Sequence, residues 1–475
     1  MARCLLVNPS SALSLYANSK VRAAIPKLPT MSLAMLAGAL LEDGHEVKIV
    51  DLMIQDPQRA LEFLKREATK FCPELVGVTA TTPLFYEAAR ISQTIKDISA
   101  DIVTVLGGPH ATALPAECLQ ESTFDYVVTG EGELTIKNIA AGRDLDAAHG
   151  VFGRALMYET PCVPKISKDK LVSLDDLPMP ALHLYDSSRY SCPSIIARKN
   201  PVGPIEMSRG CLSNCSFCNK NIQGRTFRVK FPLRVIEELK VLKKLGYREF
   251  HVLDDQFTTN IQRAKEICAE IIKHDLKMTW NLRTGVRVDR VDKEFLDLAK
   301  RSGCYQVGVG FESGSQEHLD RVGKGAKLEQ AFKAAALIRQ AGIELVGFFI
   351  IGLPEESVQT MEDTIRFAIK LNPDYAKATI LVPFPGTEIY NEFASKGLIK
   401  IREWDKYNFH SANQIYQHPT LSWDCLQEYY QHFHRRFYLR PHYLLGKLWQ
   451  SVITGRLLDN LYFGYQTFLQ KDIRQ

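Results

Sequence analysis

The chain has 475 residues, of which 45% are hydrophobic and 24% are charged, as in folded proteins large enough for two or three domains. It contains neither an 18-residue apolar run nor an N-terminal cleavage signal, so we predict a cytoplasmic protein without a transmembrane span. The formal net charge of +5 lies in residues 431–475, which hold seven Lys/Arg against two Asp/Glu. The near-neutral remainder argues against a nucleic-acid partner.

Residues 1–150 alternate strand and helix signals. A helix begins at Thr30 and ends near Gly44, and strands are predicted at residues 3–8, 47–52, 75–79, 102–106 and 126–129. This alternation predicts an α/β domain with a parallel, doubly wound sheet and helices on both faces.

Glycine and threonine residues follow three of these strands, at the edge where a doubly wound sheet binds ligands. Glycine lets the backbone approach a large ligand, and hydroxyl groups supply hydrogen bonds. Each turn alone is equally consistent with a tight turn that binds nothing, but three on one edge favour a binding site. The candidate residues are Thr79, Thr81, Thr82, Gly107, Gly108, Pro109, His110, Gly130, Glu131 and Gly132.

Residues 151–204 lose clear periodicity and contain seven prolines, from Pro161 to Pro204. Proline at this density is typical of a linker or a strap. We therefore predict a connector between two domains.

Cys211, Cys215 and Cys218 form a C-x3-C-x2-C motif directly after a strand-like run and Gly210. One loop can thus direct three thiolates at a single centre, and thiolates are the ligands of iron-sulfur clusters and of zinc. A cubane cluster takes four ligands, so three local cysteines leave one iron for a distant ligand or for a bound small molecule. The alternatives are a zinc site and three unliganded core cysteines, but zinc would require a short-spaced second pair of cysteines or histidines, and none follows. The eleven cysteines are otherwise spread along the chain, which favours a reducing compartment.

Residues 205–400 repeat strand and helix signals at a spacing typical of βα units. Strands are predicted at residues 205–208, 249–253, 278–282, 305–309, 345–350 and 375–381, with a helix over residues 232–245 among the connections. Six units predict a partial (β/α)6 barrel rather than a complete eight-unit barrel. Chemistry in such barrels comes from the carboxyl ends of the strands, and the residues found there include Asp254, Arg283, Glu312, Gly352, Leu353 and Pro354.

Residues 401–475 carry apolar residues at helical spacing and are predicted to form a helical C-terminal extension. Leu444, Leu445, Leu448, Trp449 and Val452 define a first helix, and a second follows a break near Gly455. We expect these helices to cap the barrel. The alternative is a basic, aromatic-rich surface that touches a membrane or a lipid.

The cysteine motif, with the aromatic Phe217 between its last two cysteines, resembles that of the radical SAM superfamily. The Gly-Gly-Pro-His and Gly-Glu-Gly-Glu turns that begin at Gly107 and Gly130 resemble the cobalamin-binding domain of the class B members. The Arg-Arg-Phe-Tyr-Leu-Arg-Pro tail is similar to that of the anaerobic magnesium-protoporphyrin cyclase and the hopanoid-biosynthesis-associated proteins. The loop after the first strand, which begins at Asn8, contains no histidine, so the resemblance implies no histidine ligand to cobalt from below.

The resemblance implies three cofactors, namely a 4Fe-4S cluster on the three cysteines, S-adenosylmethionine (SAM) and cobalamin. Residues implied at SAM are Phe217, Asp254, Arg283, Glu312, Gly352, Leu353 and Pro354, and the three glycine and threonine turns are implied at cobalamin. Glu355 stands where the family usually has glycine.

The resemblance also implies a reaction and its partners. The expected reaction is C-methylation, radical ring formation or rearrangement of a hydrophobic intermediate, whether lipid-like, terpenoid or tetrapyrrole. The electron is expected from a flavodoxin or a ferredoxin. The rival hypothesis is an iron-sulfur scaffold protein with a degenerate site that does not turn over SAM.

Overall fold

The computed structural model describes residues 1–10, 26–143, 145, 150–154, 171–194, 196–408, 414–453 and 458. Two six-stranded sheets organise this part of the chain. The first sheet and its helices comprise β1 Arg3–Asn8, α1 Met31–Glu42, β2 Glu46–Asp51, α2 Ala60–Phe71, β3 Leu75–Thr79, α3 Phe85–Lys96, β4 Val103–Gly107, α4 Pro109–Ala113, α5 Pro115–Gln120, β5 Tyr126–Val128, α6 Glu133–Ala140 and β6 Val151–Gly153.

The first sheet has the strand order β2-β1-β3-β4-β5-β6. Its strands are parallel except β6, which runs antiparallel to β5. The predicted doubly wound sheet is confirmed. Strand β6 was not predicted because its three residues carry too little pattern to separate a strand from a turn.

The second sheet is parallel throughout, in the order β14-β13-β12-β11-β10-β7, and its two edges do not pair with each other among the described strands. An open, six-stranded barrel is therefore confirmed. Its elements, with a small hairpin of β8 and β9, are β7 Val202–Ile205, β8 Ser208–Arg209, β9 Arg228–Val229, α7 Pro232–Lys244, β10 Glu249–Val252, α8 Ile261–Lys273, β11 Thr279–Val286, α9 Lys293–Arg301, β12 Cys304–Glu312, α10 Gln316–Arg321, α11 Leu328–Gln340, β13 Glu344–Ile351, α12 Val358–Leu371 and β14 Tyr375–Ile380.

The first barrel strand, β7, lies three residues before the predicted one. The predicted strand began after Gly203 and Pro204, because both residue types usually interrupt a strand. At a sheet edge, however, proline loses no ladder hydrogen bond. Gly203 is needed where helix α7 packs, because a Cβ atom there would lie 2.5 Å from Leu242 Cδ2.

The chain after the barrel returns to the first sheet. Trp404 and Tyr407 are completely buried and share a hydrophobic core with Phe85 of α3. Trp404 Nε1 also donates to Glu117 Oε1 at 2.8 Å, which ties this segment to α5. The two sheets are thus joined by a common core as well as by the connector.

Three helices follow the barrel, namely α13 Glu388–Ser395, α14 Trp423–Tyr438 and α15 Pro441–Ile453. Helix α14, which the sequence analysis did not predict, caps the barrel, since Phe433 and Phe437 join the core beneath β13 and β14. For α15 the capping prediction is wrong. Tyr443 and Lys447 contact Asp374, but the apolar residues Leu444, Leu445, Leu448, Trp449, Val452 and Ile453 are exposed.

No helix in the described ranges is both long and apolar enough to cross a membrane. The helix predicted after Gly455 lies outside the described residues.

Candidate functional site

The three cysteines of the motif lie on the loop between β8 and β9, at the carboxyl end of the barrel. Gly210 begins this loop with φ +90°, and a Cβ atom there would lie 2.0 Å from the Thr226 carbonyl oxygen, so only glycine fits. Gly210 N donates to Asp255 Oδ2 at 3.1 Å, which fastens the loop to the end of β10.

The thiols of the motif differ in environment. Cys215 is buried, whereas Cys218 is exposed, and burial followed by the neighbouring Cys215 and Cys211 raises the pKa of Cys218 to about 11. Cys211 Sγ donates to Gln256 Oε1 at 3.1 Å. The influence of Cys215 and Cys211 on the pKa of Cys218 places the three thiols within electrostatic range of one another. In the described part of the chain, no three His, Cys, Asp or Glu side chains are set to hold a single metal ion.

Phe217 is half-buried against the core shared by the two sheets. Its predicted place beside the adenine of SAM stays a prediction.

Asp254 fixes the strand that leads into the cysteine loop. Its side chain is buried, with Oδ1 accepting from Met207 N at 2.7 Å and Oδ2 accepting from Ser208 Oγ at 2.5 Å. Burial raises the pKa of Asp254 to about 6. Its contact with SAM stays a prediction, whereas the neighbouring Asp255 and Gln256, which sequence analysis left unassigned, contact the cysteine loop directly.

Glu312 ends β12 in a left-handed conformation, with φ +64°, and pairs with Lys324 at 2.7 Å between Oε1 and Nζ. Both side chains are within electrostatic range of Cys215, because Lys324 lowers and Glu312 raises the pKa of that thiol, although burial is the largest influence. Gly310 lies directly under the pair, since a Cβ atom there would be 2.3 Å from Glu312 Oε1. The carboxylate predicted to contact SAM therefore lies beside the cysteine loop, with a lysine partner that had no sequence signal.

The loop of Gly352, Leu353 and Pro354 is buried, and its polar groups have protein partners. Glu356 Oε2 accepts from the backbone N of Gly352 and of Leu353, at 2.7 and 3.1 Å, and His418 Nε2 donates to the Leu353 carbonyl at 3.0 Å. Burial raises the pKa of Glu356 to about 7. The contact of this loop with SAM stays a prediction.

Glu355 adopts φ +63°, which explains why the family usually has glycine at this position. Its exposed carboxylate pairs with Arg321 on α10.

Arg283 lies on the concave face of β11, away from the cysteine loop. The groups that influence its pKa electrostatically are Tyr305, Cys192 and Tyr375, although burial is the main cause of its lowered pKa. Tyr305 and Tyr375 stand near the amino ends of β12 and β14. The guanidinium thus points into the barrel toward its amino-terminal half, and its predicted contact with SAM is not supported by this position.

The ten predicted cobalamin residues are brought together at one sheet edge, because β3, β4 and β5 are parallel neighbours and the three turns follow their carboxyl ends. Hydrogen bonds interlock the turns, with His110 N donating to Ala80 O at 3.2 Å and Gly130 N donating to Thr112 Oγ1 at 3.0 Å. A Cβ atom at Gly107 would meet nothing closer than 4.0 Å, so this turn leaves room for a bulky ligand.

His110 does not present its ring to that edge. It is completely buried between Phe85 and Trp404, with ring centroids at 4.7 and 5.2 Å. Burial lowers the pKa of His110 to about 4, so the ring is neutral near pH 7. A role in packing accounts for its side chain.

Charged groups join the sheet edge to the cysteine loop. Arg209 is buried and pairs with Glu133 at 2.5 Å, Glu131 at 3.1 Å and Glu206 at 2.6 Å. Glu131 also pairs with Arg228 on β9. The Gly-Glu-Gly-Glu turn therefore uses its carboxylates to position the cysteine loop, a role that sequence analysis missed because the partner is about 80 residues away.

The loop after β14 completes the contact. Asn219, one residue beyond the last cysteine, donates through Nδ2 to Pro385 O at 3.3 Å. A Cβ atom at Gly386 would lie 3.2 Å from Ala113 of α4. The cysteine loop, the sixth barrel loop and the edge of the first sheet thus meet at one place.

The residues present fit the implied cofactors. A loop that brings three thiols within electrostatic range of one another suits an iron-sulfur cluster, and the glycine turns at the sheet edge suit a large planar cofactor. The Glu312–Lys324 pair offers one charge of each sign beside the thiols, as a zwitterionic amino acid group requires.

Comparison with known proteins finds two family matches. The radical SAM superfamily profile matches residues 205–368, and the B12 binding domain profile matches residues 22–140. An uncharacterized methyltransferase of Pyrococcus horikoshii is 32% identical over 89% of this chain and 90% of its own. The anaerobic magnesium-protoporphyrin IX monomethyl ester cyclase of Rubrivivax gelatinosus is 32% identical over 88% of this chain and 75% of its own.

A solved structure shares the arrangement of both sheets. The radical S-adenosylmethionine methyltransferase TsrM of Kitasatospora setae, with cobalamin and a [4Fe-4S] cluster bound, aligns with a TM-score of 0.65. The alignment covers 83% of this chain and 78% of that one at 22% identity. At this identity the likeness establishes the fold.

Proposed function

The chain belongs to the B12-binding radical SAM enzymes, and on that basis we propose that it catalyses C-methylation or radical ring formation on a hydrophobic biosynthetic intermediate. The observation that carries the proposal is the meeting of the three-cysteine loop with the carboxyl edge of the first sheet, through Arg209, Glu131 and Glu133. One cavity can then expose a substrate carbon to both cofactors.

The cofactors supply radical and methyl-transfer chemistry on unactivated carbon, which acid-base side chains cannot perform. Cys211, Cys215 and Cys218 would hold the cluster. Glu312 and Lys324 would bind the amino and carboxylate groups of SAM beside it. The turns at Thr79, Gly107 and Gly130, with the other residues predicted there, would hold cobalamin.

The names of the two relatives indicate two different reactions. One is named a methyltransferase and the other a cyclase that acts on a porphyrin ester, and each is 32% identical to this chain. One name supports methyl transfer and the other supports ring formation, so we keep C-methylation and ring formation as the two outcomes of one test.

That test uses the anaerobically reconstituted protein. We expect about four irons per chain, saturable cobalamin binding and formation of 5'-deoxyadenosine or of S-adenosylhomocysteine when a reductant and SAM are added. Alanine at Cys211, Cys215 and Cys218 should abolish both products. Cys72→Ala is the matched control, because Cys72 is an exposed cysteine on the first domain. A fully loaded wild type that makes neither product would favour the scaffold hypothesis.

A lipid-like substrate, taken from a membrane surface, is supported by the exposed apolar side of α15. Leu445, Trp449 and Ile453 each keep about two thirds of their surface accessible. Residues 431–453 carry four Lys/Arg and no Asp/Glu, which suits an anionic lipid surface.

An acidic electron donor such as a flavodoxin or ferredoxin is supported by a cavity of about 280 Å³ behind the cysteine loop. Arg287, Arg290 and Lys324 line it, with Asp289 as its one acidic lining residue. A positive opening next to the cluster loop attracts a negatively charged partner.

A further inference from the structure

The concave face of the second sheet encloses a space that we call the lumen. Alternate residues of β14, namely Ala376, Ala378 and Ile380, join the core under the helices, so Lys377 points into the lumen. On β11, Trp280 and Leu282 likewise join that core, so Arg283 points into the lumen from the opposite side.

Between these two cations, the concave face of the sheet is formed by β12 residues without long polar side chains. Strand β12 places Gly308 and Gly310 on the concave face, because Val307, Val309 and Phe311 join the core on the other face. A Cβ atom at Gly308 would lie 2.9 Å from Phe348 Cε2, so the Phe348 ring covers this part of the concave face. The lumen therefore combines an aromatic surface with two facing positive groups.

The carboxylates of the lumen have other partners. Glu249 accepts from Tyr305 at 2.6 Å, from Thr279 at 2.8 Å and from His251 at 3.0 Å, as well as from the backbone of the connector. Glu312 is paired with Lys324. Neither carboxylate is available to Arg283 or to Lys377.

Arg283 and Lys377 have no hydrogen bond or ion pair within the described part of the chain. Lys377 keeps contact with solvent, yet burial and then the nearby Arg283 lower its pKa, as expected for an amine that lines an internal space. Two neighbouring cations without a counter-charge are unfavourable in the protein alone, and an anionic ligand relieves both.

We propose that the lumen binds an anionic group of the substrate, a carboxylate or a phosphate ester, between Arg283 and Lys377. The inference rests on the proposed function, since it concerns the substrate of the same barrel. It assigns Arg283 to the substrate, and it leaves SAM to the Glu312–Lys324 pair at the carboxyl end. The substrate is then amphiphilic, with its apolar part against Phe348 and its acid deeper in the lumen.

Strands β14 and β7 are the two unpaired edges of the described sheet, and we place the entry of such a molecule between them. The amino end of the barrel is closed by the connector, where Arg198 stacks 4.3 Å above the Tyr305 ring and pairs with Glu344. A ligand therefore enters from the side or from the carboxyl end, past Lys377.

The test measures binding of three probes to the cluster- and cobalamin-loaded protein by calorimetry. The probes are phenyl phosphate, benzoate and benzyl alcohol, which share a ring and differ in charge. We expect one or both anions to bind at least tenfold more tightly than benzyl alcohol, and the better anion to identify the acid. Arg283→Met and Lys377→Met should each weaken that anion by about tenfold, the loss of one charged hydrogen bond.

Two controls separate this inference from the proposed function. Lys333→Met removes an exposed lysine of α11 and should leave anion binding unchanged. Substrate-free formation of 5'-deoxyadenosine in Lys333→Met should also stay within twofold of wild type. Equal binding of all three probes would overturn the inference, and so would loss of SAM cleavage in Arg283→Met with unchanged anion binding. Absence of SAM cleavage in the wild type would overturn only the proposed function.

Discussion

Arg209 Nη2 donates to Glu133 Oε1 at 2.5 Å. This contact joins the residue before the cysteine loop to the first residue of α6, a helix of the first domain. Both side chains are almost completely buried. We predict that Arg209→Met destabilises the protein by about 3–5 kcal/mol, because it leaves buried carboxylates without their cation.

The measurement for Arg209→Met is the thermal midpoint of the apoprotein together with its capacity to bind cobalamin, and both should fall. Arg225→Met is the matched control, since Arg225 and its partner Glu388 are both exposed and the pair contributes little. Adding Glu133→Gln to Arg209→Met should recover part of the loss. An unchanged midpoint in Arg209→Met would contradict the role given to this contact.

Gly310→Ala should weaken SAM binding without removing the cluster. The added methyl group would lie 2.3 Å from Glu312 Oε1 and 3.0 Å from Lys324 Nζ, so the pair must move. We expect the KM for SAM in reductive cleavage to rise at least about tenfold, the effect of losing one charged hydrogen bond. Gly446→Ala, where the added methyl group meets nothing within 4 Å, is the control. An unchanged KM for SAM in a Gly310→Ala protein that keeps its iron would count against the assignment of the pair to SAM.

Glu356→Gln should change how stability depends on pH. Burial raises the pKa of Glu356 to about 7 from 4.5, so the folded protein holds a proton that the unfolded chain releases between those values. Stability of the wild type therefore falls as pH rises from about 4.5 to about 7, and the neutral glutamine removes this dependence. We expect the thermal midpoint of Glu356→Gln to exceed that of wild type at pH 8 and to match it near pH 4.5. A lower midpoint for Glu356→Gln than for wild type at pH 8 would show that the folded protein stabilises the charged carboxylate and does not raise its pKa.

Leu445→Gln combined with Trp449→Gln should reduce binding to vesicles that contain anionic lipid. These side chains lie on the exposed side of α15, and burying each in a membrane contributes favourable transfer free energy. Co-sedimentation with vesicles measures the effect, which should be larger at low salt. Leu233→Gln, an equally exposed leucine on α7, is the control. No difference between the double variant and the control would remove α15 from the proposed membrane contact.

The strands were predictable because each is a short apolar run bounded by turn residues, as in Leu75–Thr79 and Glu344–Ile351. The edge strand Val202–Ile205 was misplaced because its glycine and proline act through packing against α7 and through its edge position. Neither the packing against α7 nor the edge position can be inferred from the residues of the strand alone.

The site was predictable where residues are adjacent in sequence and not where partners are distant. The C-x3-C-x2-C spacing identified the cysteine loop, and the glycine turns identified the facing edge. Nothing in the sequence links Glu312 to Lys324 or Arg209 to Glu133, because these pairs depend on how the two sheets meet. The same reason explains Arg283. The sequence placed it after a strand that ends at residue 282, whereas it lies within β11, and its direction into the lumen required the register of that strand.

Because Trp404 packs against the first domain, the core of that domain is complete only after residue 404 has been synthesised. Trp404 and its partner Glu117 are 287 residues apart in the chain. At about 5–20 residues per second, roughly 13–50 s pass between synthesis of Gly153, the last residue of the first sheet, and synthesis of Trp404. During that interval Phe85 and His110 lack the aromatic ring that buries them, so the nascent chain presents an apolar surface on which chaperones can act.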